Sequence, residues 1–299
     1  MQVKAADMNP LNLMVFLTAD FSQMEIRVLA EISGDKLLIS QLQSGQDIHC
    51  LIGNTLTGLP VDRIKSEKNL RKMIKGLVFG IIYGKGRNNL YPYVVAGIRH
   101  VDGKHADLTG ISAQRLAKLY DAFFAKYLGV KAYIDRMHRM AVDLHYVETM
   151  FGFRREIREN DERGTFFLNQ AVNSPIQGSA HTFLLIALAL LDIKPRTYSL
   201  LQKCLMEEHD ALFFSVRLGD LVAAFTQLKA LFADAYRYAQ VKFKITLRVP
   251  LLTEASAGFT MGSMVAYDGQ AVEEFLPAWR AKQREVEAKD WEDLMPQVV

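Results

Sequence analysis

The sequence predicts an α+β fold in which an antiparallel sheet meets a largely helical insertion. Strand-like apolar runs stand at 15–19, on both sides of positions 209–210 and at 244–252. Helical periodicity fills most of 62–157, and a second helical stretch covers roughly 161–192. The aspartates that border strand-like runs, Asp20 and Asp210, lie near opposite ends of the chain, so strands distant in sequence have to meet.

Taken in order, the run at 15–19 ends at Asp20 and is followed by Met24, Val28 and Leu29 at helical spacing, closed by Ser33, Gly34 and Asp35. The Gly-rich punctuation at 84–86 and the polar stretch GIRHVDGKHADLTG (97–110) interrupt the middle helices, the latter reading as an exposed connection. In it His100 and His105, near Asp102 and Asp107, read either as a metal site or as a solvated loop. Residues 200–216 read as a hairpin with His209 and Asp210 at a polar tip. After Asp220, the apolar positions Leu221, Phe225, Leu228, Phe232 and Ala235 give one face of a helix. The charged tail from 270 carries Phe275, Leu276, Trp279 and Trp291, which either dock a partner or cover this chain's own surface.

Half of the 299 residues are apolar, enough for a sizeable core. Lys plus Arg is 36 against 33 Asp plus Glu, so the net charge of +3 does not by itself name nucleic acid as a partner; basic surface has to come from local clustering. Cys50 and Cys204 lack metal-ligand spacing, which fits a reducing, cytoplasmic setting. The run FLLIALALLDI (183–193) falls short of the ~20 residues of a membrane span and reads as a core helix.

Phosphoryl transfer needs in-line geometry and charge neutralisation, and two carboxylates converging on paired hard cations are a minimal anchor for it. Asp20 and Asp210 meet that need if their strands are adjacent, although turn aspartates at strand ends are common. Arg71, Lys75, Phe79 and Tyr83 recur every four residues and wind slowly along one side of a helix. Cations lead and aromatics follow, an order suited to a nucleoside triphosphate with its phosphates on Arg71 and Lys75 and its sugar and base near Phe79 and Tyr83. The same spacing also describes an amphipathic helix with a solvated basic end and a buried aromatic end.

Three segments, in order, resemble the bacterial DNA polymerase I family, family A: ADFSQMEIRVLAEISGD (19–35), RKMIKGLVFGIIYG (71–84) and EEHDALFFSV (207–216). DIH (47–49), YVETMFGFRR (146–155) and NSPIQGSA (173–180) add to the match, which reaches from Ala19 to about Phe259. The resemblance implies a polymerase palm at 1–61 and 161–269, helical fingers at 62–160 and a charged helical tail at 270–299. It implies catalytic roles for Asp20, Asp210 and Lys75, and a metal site at Asp20, Phe21 and Asp210 holding two Mg²⁺ ions, with Mn²⁺ as a substitute. Gln23, Glu25, His49, Arg71, Lys75, Phe79 and Tyr83 would bind the nucleotide, and Arg154, Asn173, Gln177 and His209 the primer-template DNA. Glu25, under the sugar near Tyr83, would exclude a 2′-hydroxyl and tilt the product from RNA toward DNA.

The departures are specific. Ala211 stands where the family usually has an acidic residue, leaving two carboxylates; GKGRNNL after Tyr83 and Asn169 also leave the commonest pattern. Only nineteen residues precede Asp20, where the family places a thumb, further palm and usually an exonuclease. The expectation is therefore a polymerase split between two polypeptides, the second carrying the thumb, in a phage-type setting. A catalytically silent structural or DNA-binding subunit of a replication complex is one alternative, and a single-subunit-type RNA polymerase, disfavoured by Glu25, is the other.

Overall fold

The computed structural model describes residues 10–102, 106–160, 165–208 and 210–294. In chain order the elements are β1 (Met14–Phe21), α1 (Met24–Ser33), α2 (Lys36–Gln43), α3 (Ile48–Thr57), α4 (Val61–Ser66), α5 (Lys68–Ile82), α6 (Leu90–Asp102), α7 (Ala113–Lys126) and α8 (Leu128–Leu144). Then come β2 (Tyr146–Glu148), β3 (Arg154–Glu156), β4 (Glu159–Asn160), β5 (Thr165–Phe166), α9 (Leu168–Ile193), β6 (Cys204–Glu208), β7 (Ala211–Arg217), α10 (Leu221–Phe243), β8 (Thr253–Gly258), β9 (Val265–Ala266) and α11 (Val272–Leu294). They fall into two units, one of Met1–Ser22, His181–Lys244 and Leu251–Val299, the other of Gln23–Ala180 and Ile245–Pro250.

The first unit is built on an antiparallel sheet in the order β6-β7-β1-β8-β9. β1 alternates out and in, burying Val15, Leu17, Ala19 and Phe21, and it pairs with β7 from Met14↔Arg217 to Asp20↔Ala211 and with β8 from Phe16↔Gly258 to Phe21↔Thr253. The expected hairpin is present as β6 and β7. The expected stripe on α10 buries Leu221, Phe225, Leu228, Phe232 and Ala235, and the Phe232 ring lies 4.6 Å from that of Phe21. Phe275 of α11 is fully buried beside Tyr267, and Trp279 donates to the Ser263 hydroxyl at 3.0 Å with its ring 4.5 Å from Phe259. Trp279 thus covers this chain's own surface; the side chain of Trp291 lies outside those described.

The second unit is mainly helical. Asp35 ties two of its helices: one carboxylate oxygen caps α2 at the Leu38 N–H, 3.0 Å, while the other accepts from the Gly129 and Val130 N–H groups of α8 at 2.8 and 3.3 Å. A Cβ on Gly129 would sit 2.6 Å from the Asp35 Cα, so this approach requires glycine. α9 has 26 residues and, by length and composition alone, could cross a membrane, but 56% of its apolar window is buried in the protein. That burial fits the expected core helix.

Two expectations need correction. Residues 244–252 form no strand; the strand begins at Thr253. Between them the Arg248 N–H is given to Glu31 at 2.7 Å, the Pro250 carbonyl accepts from Arg27 at 2.6 Å, and Pro250 has no N–H to offer a ladder. The stretch 97–110 is not wholly a connection either, because α6 runs on to Asp102 with Ile98 buried. Asp102 pairs with Lys72, and Asp107 accepts from Asn69 at 2.7 Å. His105 lies outside the described residues, and among those described no group of three or more His, Cys, Asp or Glu is arranged to hold a metal.

Candidate active site

The carboxylates of the first unit are placed by strand register. Asp20 is the penultimate residue of β1 and sits opposite Ala211, the first residue after the hairpin turn that holds Asp210. On the other flank it faces Glu254 of β8. Burial, and then the charges of Asp210 and Glu254, push the Asp20 carboxyl up to about 6. The Ser22 hydroxyl donates to Glu254. Phe21 spends its side chain in the core, 2% exposed, so only its main chain is left to face a cation. His209, at the same turn, lies outside the described residues.

In the second unit, Leu70, Met73, Ile74, Leu77, Val78 and Ile81 bury one face of α5, which leaves Arg71, Lys75, Phe79 and Tyr83 along its open side. Lys75 Nζ lies 5.7 Å from the Phe79 ring centre, and the rings of Phe79 and Tyr83 stack with centres 6.4 Å apart. Neither ring is fully buried, unlike the aromatic end of an ordinary amphipathic helix. Arg71 is held by both Nε (3.1 Å) and Nη2 (2.6 Å) on one oxygen of Asp47, whose other oxygen caps α3 at the Cys50 N–H. Burial works to raise the Asp47 carboxyl, but the Arg71 bonds and the cap outweigh it and hold it below the usual range.

His49 sits beside this pair, its ring 6.2 Å from Phe79. It is only 5% exposed and its Nδ1 has no hydrogen-bond partner. Burial, with Lys75 and Arg71 adding to it against Asp47, lowers its pKa to about 4, so the imidazole is neutral at neutral pH.

Glu25 of α1 accepts from the Tyr83 hydroxyl at 3.2 Å and from the Gln177 amide at 3.2 Å; Gln177 is also 3.4 Å from the Tyr83 oxygen. Burial, then Glu25, push the phenol up to about 12, so it stays a donor. Gln23 holds a left-handed backbone, φ 53°, at the start of α1. Such a conformation is costly for a side-chain-bearing residue and recurs at functional sites. Asn173 donates to the Ile82 carbonyl at 3.4 Å. Arg154, on β3, is occupied by Glu148 at 2.9 Å and lies over the Tyr146 ring at 4.6 Å, contacts that do not link it to the α5 stripe.

Sequence reasoning missed two residues here. Asp47, which positions Arg71, carries the signal of an N-cap before an apolar helix. Glu254 was hidden by a strand boundary set too early.

Residues 2–263 match the model of DNA polymerase family A. The chain is similar to DNA polymerase I of Chloroflexus aurantiacus, 32% identical over 237 residues, which are 78% of this chain and 23% of that one. It is 34% identical to DNA polymerase I of Streptococcus pneumoniae over 254 residues, 82% of this chain and 26% of the relative. The chain therefore spans about a quarter of the length of these relatives. Among solved structures it resembles the POL domain of Pol1 from M. smegmatis in complex with DNA primer-template and dNTP, with a TM-score of 0.65 and 25% identity over 82% of this chain and 40% of that one.

Proposed function

The chain belongs to DNA polymerase family A, and from that premise we propose that it is the catalytic portion of a template-directed DNA polymerase, its carboxylate-bearing sheet acting as palm and its α5-bearing helices as fingers. The observation that carries this reading is the strand register that sets Asp20 beside the Asp210 turn, where burial and then the Asp210 charge oppose ionisation of Asp20. Crowded hard oxygen donors of this kind fit Mg²⁺ or Mn²⁺. Asp20 and Asp210, with the Phe21 main chain, would hold two such ions, which when bound activate the primer hydroxyl and neutralise the developing phosphate charge.

The chain's own residues would do the rest. Lys75 and Arg71 receive the triphosphate, with Arg71 partly released from Asp47 as it does so. Lys75 would protonate the leaving pyrophosphate. His49, neutral before binding, offers a nitrogen rather than a charge. Glu25, fixed by Tyr83 and Gln177, occupies the space of a 2′-hydroxyl. Arg154, Asn173, Gln177 and His209 would touch primer and template.

For duplex grip beyond these contacts we propose a thumb-bearing second polypeptide. The experiment is Mg²⁺-dependent primer extension by the purified chain and by Asp210→Asn, alone and with added thumb-bearing polypeptides. Asp210→Asn should lose extension by about 10²–10³-fold, the several kcal/mol expected of lost metal-borne charge stabilisation. Extension that needs the added polypeptide supports the split enzyme. Absence of extension in every combination would move the assignment to a structural DNA-binding subunit.

A further inference from the structure

Where α10 passes the end of β1 and the start of β8, the first unit holds a cleft of about 690 Å³, inside the ~300–1,000 Å³ range of ligand sites. None of the α10 residues that line it has a part in the polymerase reading. Its floor is apolar: Phe21 and Phe232 are 2% and 1% exposed, while Leu252 keeps 46% of its surface open. Tyr236 adds a partly exposed ring, 6.3 Å from that of Phe183.

The α10 wall is cationic. Lys229, Ala233 and Arg237 follow one another at four-residue steps, a single stripe roughly 12 Å long, and the small Ala233 leaves a gap between two long side chains. Lys229 Nζ lies 5.6 Å from the Phe225 ring centre and makes no ion pair or hydrogen bond among the described residues. Arg237 donates to Asp234 at 3.0 Å, but that carboxylate is shared: its other oxygen accepts from the Tyr198 hydroxyl at 2.7 Å and from Lys194 at 3.2 Å. Arg237 therefore has only part of a counter-ion, and the wall is net positive. The β8 wall carries one carboxylate, Glu254, which accepts from the Ser22 hydroxyl.

An apolar floor with a ring beside it favours a flat apolar body, and cations short of counter-ions favour an anionic group at their wall. Glu254 repels an anion from the β8 wall, which fixes the orientation: charge toward α10, apolar body toward Leu252. We infer that this cleft binds a compact aromatic anion, its charged group held over Ala233 by Lys229 and Arg237 and its ring system resting on Tyr236 and Leu252. This ligand is distinct from the nucleotide and the template, whose proposed contacts all lie outside α10.

The test is a fluorescence titration of the full chain with anilinonaphthalene sulfonate and, in parallel, with phenylnaphthylamine, which has the same ring body without the charge. Wild type should bind the sulfonate at a single site and prefer it to the neutral probe. Lys229→Ala and Arg237→Gln should each cost the sulfonate roughly three- to tenfold in affinity and leave the neutral probe within about twofold. Lys229→Arg should restore the preference. Ala233→Phe, which puts a ring into the gap, should weaken both probes, with melting temperatures matching wild type throughout. Equal affinity of wild type for the two probes, loss of both probes alike in Lys229→Ala, or sulfonate binding untouched by Ala233→Phe overturns the inference. Primer extension on the same preparations keeps the two readings apart: the probe results decide the cleft whether or not the chain extends a primer.

Discussion

Tyr83, Glu25 and Gln177 close a three-membered hydrogen-bond set in which the carboxylate is the common acceptor. In Glu25→Ala the phenol keeps only Gln177, and the negative charge proposed to face a 2′-hydroxyl is gone. Discrimination against ribonucleotides in primer extension should fall at least tenfold, about 1.4 kcal/mol, with deoxynucleotide use retained; unchanged discrimination would place the sugar elsewhere. His49 gives a stability prediction. Its folded pKa of about 4 lies below the reference 6.5, so the unfolded chain binds more protons between those values. The stabilisation is complete above pH 6.5 and is lost as pH falls toward 4. Urea melts at pH 7 and pH 5 should show that His49→Gln removes about 2 kcal/mol of the wild-type loss. At this scale the α5 stripe was legible because helical periodicity is local, and the Asp20 position because a strand ended there. The Arg71–Asp47 pair was not, since it joins residues on two helices whose contact no local pattern announces.

The segment 244–252 shows why an element can be misread. Its apolar residues Ile245, Leu247 and Val249 alternate as in a strand and are indeed buried. Alternation reports burial of every second residue, though, and not a ladder partner. Here the backbone is held from α1 instead: Glu31 accepts from the Arg248 N–H at 2.7 Å and from its Nε at 2.9 Å, and Arg248 Nη2 reaches the Glu31 carbonyl at 2.8 Å. Glu31→Ala removes both carboxylate bonds and keeps the carbonyl one. The expected cost is about 1–2 kcal/mol, less than for fully buried charged hydrogen bonds because Arg248 is half exposed. Amide exchange should accelerate at 245–250 before it does in β1. Equal acceleration in both would mean the segment is a strand-like part of the core after all. By contrast β1, the β6–β7 hairpin and α10 were legible, since each carries its burial pattern within its own few turns or residues.

Over the whole chain, charge nearly balances at +3, yet it is unevenly used: carboxylates gather at one end of β1 and cations along α5. Neither the division into two units nor this separation follows from composition, because each unit is assembled from segments far apart in sequence. The acidic end has a consequence for global stability. Asp20 is raised from 3.8 to about 6 in the fold, so the stability contributed by its neutral form is complete below pH 3.8 and is lost as pH rises through 6. At pH 8 an ionised Asp20 bears the repulsion of Asp210 and Glu254, which a divalent cation at the proposed site would relieve. Mg²⁺ at ten times its Kd should add RT ln 11, about 1.4 kcal/mol, or roughly 2–5 °C in Tm. The gain should be larger at pH 8 than at pH 5, where protons already occupy the site. Asp20→Asn should flatten both the Mg²⁺ dependence and its pH trend, measured against NaCl at equal ionic strength. A Tm gain that Asp20→Asn leaves intact would locate the cation away from β1, and with it the chemistry assigned to that strand.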